Sequence, residues 1–245
     1  MAYEALAASY DRLTQDIPYE ELLEFYKSIW RLYGKTPKSA LDLACGTGSL
    51  SVLLAGEGLS VLGVDASEEM LTQAYDKASE LAQPPYFIRQ RMQRLRLPEP
   101  VDFAVCCLDG INYLTKPLDC RETMRRVFES LKPGGLFVFD VNSECKLRSL
   151  DGQIFLDEDD EVYCVWRADF DEATRICSYG MDVFQRRGRL WQRSGELHEE
   201  YAYTEDELKA WLAEAGFTNL RSFADRSLDP PGENEQRIFF AAERP

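Results

Sequence analysis

The sequence predicts an α/β fold in which a parallel sheet carries helices on both faces and a small antiparallel unit is inserted late in the chain. Short apolar runs alternate with amphipathic stretches from residue 40 to residue 141, which is the pattern of consecutive βαβ units. From residue 151 to residue 203, apolar residues recur at every second position instead, which indicates antiparallel strands. We therefore expect a main domain made of residues 1–150 and 204–245, interrupted by a β insert at 151–203.

The elements of the main domain follow from local patterns. Residues 19–33 have the apolar spacing of an amphipathic helix. Ser67 is a suitable N-cap for a helix towards Leu81, and Asp119 with Glu122 suggests a capping box for a later one. A further helix is expected through Leu54. The strands are predicted at 40–44, 60–64, 86–89, 101–108 and 136–141.

The second half of the chain is predicted in the same way. The alternating pattern of the insert favours three strands, with turns at Asp171-Glu172 and Arg187-Gly188. Thr204 and Glu207 then form a capping box, and Gly216 ends the helix that follows. Two terminal strands are expected near 217–223 and 237–242.

The composition excludes several classes of partner. The 245 residues carry a formal net charge of -15, whereas proteins that bind nucleic acid or anionic membranes need clustered Lys and Arg. A single histidine excludes a His-rich metal site, and we expect no bound metal. The seven cysteines form no Cys-x-x-Cys pair, which is typical of free thiols in a reducing compartment. With no signal peptide and no membrane-spanning run in the sequence, we expect a cytoplasmic protein.

One strand-to-helix turn carries the strongest functional signal. Gly46 and Gly48 follow the strand at 40–44, and glycines at such a turn let the backbone approach a ligand closely. Asp65 ends the next strand, about 20 residues further on, where a carboxylate can accept hydrogen bonds from both ribose hydroxyls. The combination favours a ligand that contains adenosine.

A nicotinamide dinucleotide is the competing ligand. Its fingerprint has a third glycine, where this chain has Ser51. Asp42 lies within the motif and would repel a pyrophosphate, but it suits the cationic sulfonium and ammonium groups of S-adenosylmethionine. Charge therefore favours S-adenosylmethionine.

Three motifs together carry a family resemblance. They are Asp42-x-x-Cys45-Gly46-x-Gly48, Gly63-Val64-Asp65-x-Ser67-x-x-Met70-Leu71 and Leu131-Lys132-Pro133-Gly134-Gly135. In order and spacing they resemble the motifs of class I S-adenosylmethionine-dependent methyltransferases. The segments Tyr10-Asp11, Ile17-Pro18-Tyr19 and 109–114 are similar to those of small bacterial methyltransferases that have a β insert before the last helix.

The resemblance implies a seven-stranded, mostly parallel, Rossmann-like sheet with a reversed final hairpin, and S-adenosylmethionine as the cofactor. The acid that usually receives the adenine amino group is missing from residues 90–93, so Gln93 or a backbone group is expected to replace it. With Asp42 and Asp65, the expected cofactor-binding residues are Tyr10, Ala44, Cys45, Gly46, Gly48, Ala66, Met70, Met92, Gln93 and Leu108.

Methyl transfer from a sulfonium is an in-line displacement that depends mainly on alignment, so no obligatory catalytic residue is expected. A small-molecule acceptor methylated on nitrogen or oxygen fits the charge. Candidate catalytic residues are Tyr10, Asp109 and Asn112, which alternatively pack or cap loops, and His198, a candidate base that is otherwise a surface histidine.

Other functions and assemblies stay open at this level. The alternatives are a non-catalytic S-adenosylmethionine-binding regulator and, less favoured, an aminopropyl transferase. The insert is expected to act as a lid or substrate subdomain, or else as a dimerisation surface, so the protein is a monomer or a homodimer through the insert.

Overall fold

The computed structural model describes residues 10–11, 16–158 and 160–245. Residues 1–9 and 12–15 of the predicted main domain, and residue 159 of the insert, lie outside this part of the chain. The described α-helices are α1 Tyr19–Leu32, α2 Ser49–Gly56, α3 Glu68–Ala78, α4 Pro117–Ser130, α5 Glu144–Ser149 and α6 Glu205–Ala215. A 3₁₀ turn spans Met92–Arg94.

The strands divide between two sheets. In chain order they are β1 Ser39–Leu43, β2 Ser60–Asp65, β3 Tyr86–Arg89, β4 Val101–Cys106, β5 Leu131–Asn142, β6 Ile154–Glu158, β7 Val162–Asp171, β8 Ile176–Arg187, β9 Leu190–Tyr201, β10 Thr218–Phe223 and β11 Arg237–Glu243. The main sheet has seven strands in the order β10-β11-β5-β4-β1-β2-β3. Strands β1 to β5 pair in parallel, whereas β11 is antiparallel to both β5 and β10. The predicted fold class, with its reversed final hairpin, is confirmed.

Helices cover both faces of the main sheet, as the alternation predicts. On one face, Ile29 of α1 and Leu54 of α2 pack with Phe103 of β4. On the other face, Met124 of α4 and Leu212 of α6 pack in the second large core cluster. Because β4 is buried on both faces, its sequence is apolar at all but one position. None of the helices in the described ranges has the length and apolarity needed to cross a bilayer.

The topology also fixes where a ligand can bind. Strand β1 pairs with β2 on one side and with β4 on the other, so the chain order reverses between β1 and β4. Ligands of doubly wound sheets bind beyond the carboxyl ends of the strands at such a switch point. The loops after β1, β2 and β4 therefore meet at one edge of the sheet.

The second sheet is the insert, and it has four antiparallel strands in the order β6-β7-β8-β9, one more than predicted. The extra strand β6 ends in acidic residues, which are more typical of a solvated loop than of a strand. Its apolar residues Ile154 and Leu156 are exposed. Helix α5 was not predicted either. It is only six residues long, and its one clear signal is the N-cap Ser143, whose hydroxyl accepts from the Lys146 backbone N–H.

Other predicted boundaries shift for local reasons. The capping box predicted at Asp119 is wrong: α4 begins at Pro117 after Lys116, without a side-chain cap, because proline at the helix start needs no N–H partner. The capping box at Thr204 and the left-handed Gly216 that ends α6 are both confirmed. Strand β5 begins at Leu131, five residues earlier than expected, and its pairing with β4 is irregular there.

Gly63 of β2 gives a prediction about stability. A Cβ at this position would lie 2.4 Å from Cδ1 of Phe87, which is buried, and 3.0 Å from Sγ of Cys45. We expect Gly63→Ala to lower the free energy of unfolding by about 1–3 kcal/mol through overpacking. Chemical denaturation measures the change.

Gly180 of β8 provides the matched control for this prediction, because it also lies in a strand but a Cβ there would meet nothing within 4 Å. Gly180→Ala should therefore be neutral or slightly stabilising, since it restricts the unfolded chain. Equal effects of the two substitutions would contradict the packing argument for Gly63.

Candidate functional site

A cavity of about 330 Å³ lies at the edge where the loops after β1, β2 and β4 meet. Ten of the predicted cofactor-binding residues line it, and two, Asp42 and Gly48, do not. The ten are Tyr10, Ala44, Cys45, Gly46, Asp65, Ala66, Met70, Met92, Gln93 and Leu108.

The turn after β1 forms one side of the cavity. Ala44, Gly46 and Gly48 all have positive φ angles, of 56°, 54° and 75°, and glycine adopts such angles without steric cost. A Cβ on Gly46 would meet no atom within 4 Å, so the backbone there is open to a ligand. A Cβ on Gly48 would instead lie 3.0 Å from both Ala74 and Phe87. Gly48 therefore allows close packing of α3 and β3 and does not contact the cavity itself.

Asp65 lies beside this turn at the end of β2. Its Oδ2 accepts from the Gly46 backbone N–H at 2.9 Å, and its Oδ1 accepts from the Ser67 backbone N–H at 2.8 Å. Burial raises the pKa of this carboxyl above its ordinary value, although both hydrogen bonds oppose the shift. A carboxylate has about four acceptor positions, so Asp65 can still receive hydroxyl donors from a ligand.

Asp42 lies behind the turn, contrary to its predicted place at the cavity. The residue is fully buried, and its Oδ2 accepts from the Ser51 hydroxyl at 2.6 Å. Its Oδ1 has no hydrogen-bond partner among the described residues. Burial raises the pKa of Asp42 to about 7, because removal from water disfavours the charged form. Ser51, which replaces the third glycine of a dinucleotide fingerprint, is thus the partner of this buried acid.

The segment after β3 forms a further part of the lining. Gln90, Arg91, Met92 and Gln93 all line the cavity. The Gln90 side chain is engaged with the backbone of Arg96, as an acceptor at 2.9 Å and a donor at 3.1 Å. Gln93 is less constrained, because the one hydrogen bond of its side chain among the described residues is a long one, from Nε2 to Asp119 Oδ2 at 3.5 Å. Of the two glutamines, Gln93 is accordingly the better able to turn towards a ligand.

Another part of the cavity wall is aromatic. Tyr10, Tyr19 and Tyr113 line it together with Cys107 and Leu108. Burial raises the pKa values of Tyr10 and Tyr19 well above the ordinary value, so both phenols stay neutral at physiological pH.

The N-terminal segment is attached to the glycine turn by polar contacts. Asp11 accepts from the Thr47 hydroxyl at 2.6 Å and forms an ion pair with Lys77 at 2.7 Å. Tyr10 also packs against a buried cluster on the inner face of the insert that includes Val162 and Val183. Residues around the cavity therefore come from the main sheet, the N-terminal segment and the insert.

Comparison with known proteins agrees with this geometry. A family model described as a methyltransferase domain matches residues 40–135. A protein of Geobacillus sp. (strain WCH70) that is provisionally named a methyltransferase is 36% identical over 247 residues, which cover 100% of both chains. The chain belongs to the class I S-adenosylmethionine-dependent methyltransferases. The similarly named YqeM of Bacillus subtilis (strain 168) is 34% identical over 248 residues, which cover 100% of this chain and 98% of YqeM.

A solved structure supports the same family. The crystal structure of an S-adenosylmethionine-dependent methyltransferase from Clostridium acetobutylicum ATCC 824 aligns with a TM-score of 0.88 and 30% identity, covering 99% of each chain. The cofactor of this methyltransferase is therefore S-adenosylmethionine, as the glycine turn and Asp65 predict.

Asp109, a predicted acceptor contact, does not line the cavity of the methyltransferase. It is a non-glycine residue with a φ angle of 56°, in the loop after β4. Its carboxylate pairs with Arg237 at 2.7 Å, and its backbone N–H donates to Asp140 at 3.0 Å. Asp109 thus holds the loop that carries Leu108 and Tyr113, and the loop-capping alternative describes it better.

Asn112 is also withdrawn from the cavity, and its side chain is fully buried. Its Nδ2 donates to the backbone carbonyls of Asn142 at 3.0 Å and Tyr201 at 3.1 Å. Its Oδ1 accepts from the Asn142 backbone N–H at 3.0 Å. Because both amide protons are used, Asn112 links the end of β5 to the end of β9 and has no donor left for an acceptor molecule.

His198 is buried and not a surface histidine, with only 3% of its area exposed. It does not line the cavity, but its Nδ1 lies 3.3 Å from the hydroxyl of Tyr113, which does. Its Nε2 lies 2.8 Å from Oε2 of Glu196. The methyltransferase thus connects its only imidazole to the cavity through Tyr113, which belongs to the motif at 109–114 but is not among the catalytic candidates predicted from the sequence.

Arg237 is a residue whose role sequence reasoning missed. Its guanidinium binds the fully buried Asp140 as well as Asp109. Asp140 also accepts from the Leu108 backbone N–H at 2.8 Å, so the ion pair of Arg237 and Asp140 holds the loop after β4 that lines the cavity. The available signals were an aspartate inside the apolar run of β5 and an arginine that begins an apolar final strand.

Proposed function

We propose that this methyltransferase transfers the methyl group of S-adenosylmethionine to a nitrogen or oxygen of a small-molecule acceptor by in-line displacement. The observation that supports it best is one cavity that combines two chemically different sets of groups. Gly46 and Asp65 offer backbone and carboxylate groups, whereas Tyr10, Tyr19 and Tyr113 offer aromatic surface and hydroxyls. A nucleophile held opposite the sulfonium by such groups gains rate through alignment alone.

The cofactor contacts follow the same division. Asp65 is proposed to accept hydrogen bonds from the ribose hydroxyls, beside the open backbone of Gly46. Ala66, Met70 and Met92 are proposed to surround the adenine, with Gln93 as its polar partner. The unpartnered Oδ1 of Asp42 is proposed to attract the ammonium group through the glycine turn.

The role proposed for Asp42 predicts proton release on cofactor binding. A nearby ammonium favours the charged carboxylate, so binding should lower the pKa of Asp42 from about 7. Near pH 6.5 the ammonium of the cofactor, with a pKa of about 7.7–8.0, is already protonated. We therefore expect a substantial fraction of one proton to leave the protein, measured as a dependence of the calorimetric enthalpy on the ionisation enthalpy of the buffer.

Two variants isolate the source of this proton. Asp42→Asn should abolish most of the release, whereas Asp76→Asn, at an exposed position on α3, should leave it unchanged. Release that persists in Asp42→Asn would show that the proton comes from another group and would remove Asp42 from the cofactor site.

The insert is proposed to act as a lid that shapes acceptor selection. Its inner face packs against Tyr10, and His198 of β9 reaches Tyr113, so the insert contacts two tyrosines that line the cavity. Insert substitutions should therefore alter acceptor turnover and not cofactor affinity. A change in sedimentation with unchanged turnover would instead favour a dimerisation surface.

A small acceptor and a cytoplasmic location fit the remaining properties. The net charge of -15 disfavours nucleic acid, and the seven cysteines are all free, which suits a reducing compartment. A methyltransfer screen on small amines, acids and phenols with labelled cofactor tests the proposal. Cofactor binding with no transfer to any acceptor would favour a non-catalytic regulator.

A further inference from the structure

Tyr113, His198 and Glu196 form a continuous hydrogen-bonded chain that begins at the cavity. The Tyr113 hydroxyl lies 3.3 Å from Nδ1 of His198, and Nε2 of His198 lies 2.8 Å from Oε2 of Glu196. The tyrosine and imidazole rings meet edge to face at 79°, with centroids 6.0 Å apart. The side chains of His198 and Glu196 are 3% and 5% exposed, so protein encloses both, and Tyr113 joins them to the cavity that it lines.

We propose that Tyr113 receives the proton of the methyl acceptor, and that His198 and Glu196 orient Tyr113 and take up the charge. This inference rests on the proposed function, because it requires an acceptor with N–H or O–H next to Tyr113. Tyr113 is then the catalytic residue, and His198 and Glu196 are positioning residues that act through it.

The donor and acceptor capacities of the three side chains give the direction of the relay. Ionised Glu196 can only accept, so the hydrogen bond to it requires the proton of neutral His198 to be on Nε2. Nδ1 is then an acceptor, and the Tyr113 hydroxyl donates to it. Tyr113 itself lines the cavity, where an acceptor molecule can approach its hydroxyl. A buried carboxylate that fixes the tautomer of a histidine and stabilises its protonated form is a known catalytic arrangement.

The proposed step balances as follows. The acceptor N–H or O–H bond transfers its proton to the Tyr113 oxygen while the Tyr113 proton moves to Nδ1 of His198. The nucleophile forms a bond to the methyl carbon, and the carbon–sulfur bond breaks with its electron pair staying on sulfur. The products are the methylated acceptor, the neutral thioether and an imidazolium beside Glu196, which later returns its proton to solvent.

Other ionisable groups face this chain from neighbouring elements. Tyr179 of β8 is the cross-strand partner of His198, and Glu200 follows it on the same face of β9. Burial, followed by the charge of Asp109, raises the pKa of Glu200 to about 8, so Glu200 is largely protonated at neutral pH. Lys146 of α5 also lies near Glu200 and partly offsets this shift. The carboxylate that contacts the imidazole directly is that of Glu196.

Strand β9 supplies a matched control for Glu196. Positions 196, 198 and 200 share the inner face, whereas Leu197 and Glu199 lie on the outer face and are exposed. Glu199→Gln therefore removes the same charge from the same strand as Glu196→Gln without touching the imidazole. The two variants differ only in the face that loses its carboxylate.

A nuclear magnetic resonance experiment tests the relay without an acceptor. His198 is the only histidine, so a ¹H–¹⁵N spectrum of the imidazole has one set of signals. We expect protonated Nε2 and unprotonated Nδ1 in the parent protein. Glu196→Gln should shift the tautomer or its exchange rate, and Tyr113→Phe should move the Nδ1 signal, whereas Glu199→Gln should change neither. A proton on Nδ1 in the parent, or unchanged signals in Glu196→Gln, would overturn the relay.

Turnover provides the second measurement, with glucosamine, ethanolamine and tyramine as amine probes and glucose, ethylene glycol and p-cresol as their hydroxyl counterparts. On any probe that the parent methylates, Tyr113→Phe should lower kcat by about 100-fold or more, within the usual range for general base catalysis. Glu196→Gln and His198→Gln should lower kcat with little change in KM or cofactor affinity, and Glu199→Gln should match the parent.

The two proposals fail in different ways. Full turnover in Tyr113→Phe would overturn the relay while leaving methyl transfer established. No transfer to any of the six probes, together with the expected imidazole tautomer and its loss in Glu196→Gln, would support the relay and count against the proposed acceptors.

Discussion

Replacing Asp65 by alanine is expected to weaken S-adenosylmethionine binding by about 10-fold to about 150-fold. A hydrogen bond to a charged group contributes about 1.5–3 kcal/mol, and each 1.4 kcal/mol changes affinity tenfold. Asp65 also accepts from the backbone N–H groups of Gly46 and Ser67, so the alanine variant loses support for the glycine turn as well. Isothermal titration calorimetry measures the affinity directly.

Two further variants separate these contributions. Asp65→Asn preserves the shape and one acceptor oxygen but removes the charge, so it should weaken binding less than alanine does. Asp76→Asn changes an exposed acid on the adjacent helix and should bind as the parent does. Unchanged affinity in Asp65→Ala, with a folded protein by circular dichroism, would mean that the ribose is bound elsewhere.

Replacing Arg237 by methionine is expected to lower the free energy of unfolding by about 3–5 kcal/mol, because removing one partner leaves a buried charge uncompensated. Arg237 contacts two carboxylates, Asp140 with 0% side-chain exposure and Asp109 with 16%. Chemical denaturation gives the stability. The same variant should weaken cofactor binding, since Asp140 holds the backbone of Leu108 at the cavity.

The control for this prediction is a surface arginine. Arg226 pairs with Glu21 and Asp225 in exposed positions, so Arg226→Met should cost less than about 1 kcal/mol. Adding Asp140→Asn to Arg237→Met should recover part of the lost stability, because it removes the stranded charge. A loss below 1 kcal/mol in Arg237→Met would show that the buried carboxylates do not depend on this guanidinium.

The main sheet could be predicted from the sequence because each of its elements has a local signature. Strand β4 is apolar at five of its six positions, α1 has helical periodicity, and Thr204 with Glu207 forms a capping box. Strand β6 could not be predicted, because apolar and polar residues do not alternate along it and its end is acidic. It is held by pairing with β7, which local sequence does not report.

The cavity residues could likewise be predicted where the signal is local in sequence, and not where it depends on distant contacts. Gly46 and Asp65 lie within one βαβ unit, so their spacing revealed the ligand class. Whether Asp42 and Asn112 line the cavity or lie behind it depends on how deeply the fold buries them. An acid or an amide in a sequence does not reveal which of these two places it takes. The contacts of Arg237 with Asp109 and of His198 with Tyr113 join residues 128 and 85 positions apart. Such contacts follow only from the sheet order.

The most direct measurement follows methyl label from S-adenosylmethionine into a bacterial extract divided by dialysis into low-mass and macromolecular fractions. We expect enzyme-dependent label in the low-mass fraction, reduced in both Asp65→Ala and Tyr113→Phe. Label found only in the macromolecular fraction, or no label above that given by heat-inactivated enzyme in either fraction, would contradict a small-molecule methyltransferase.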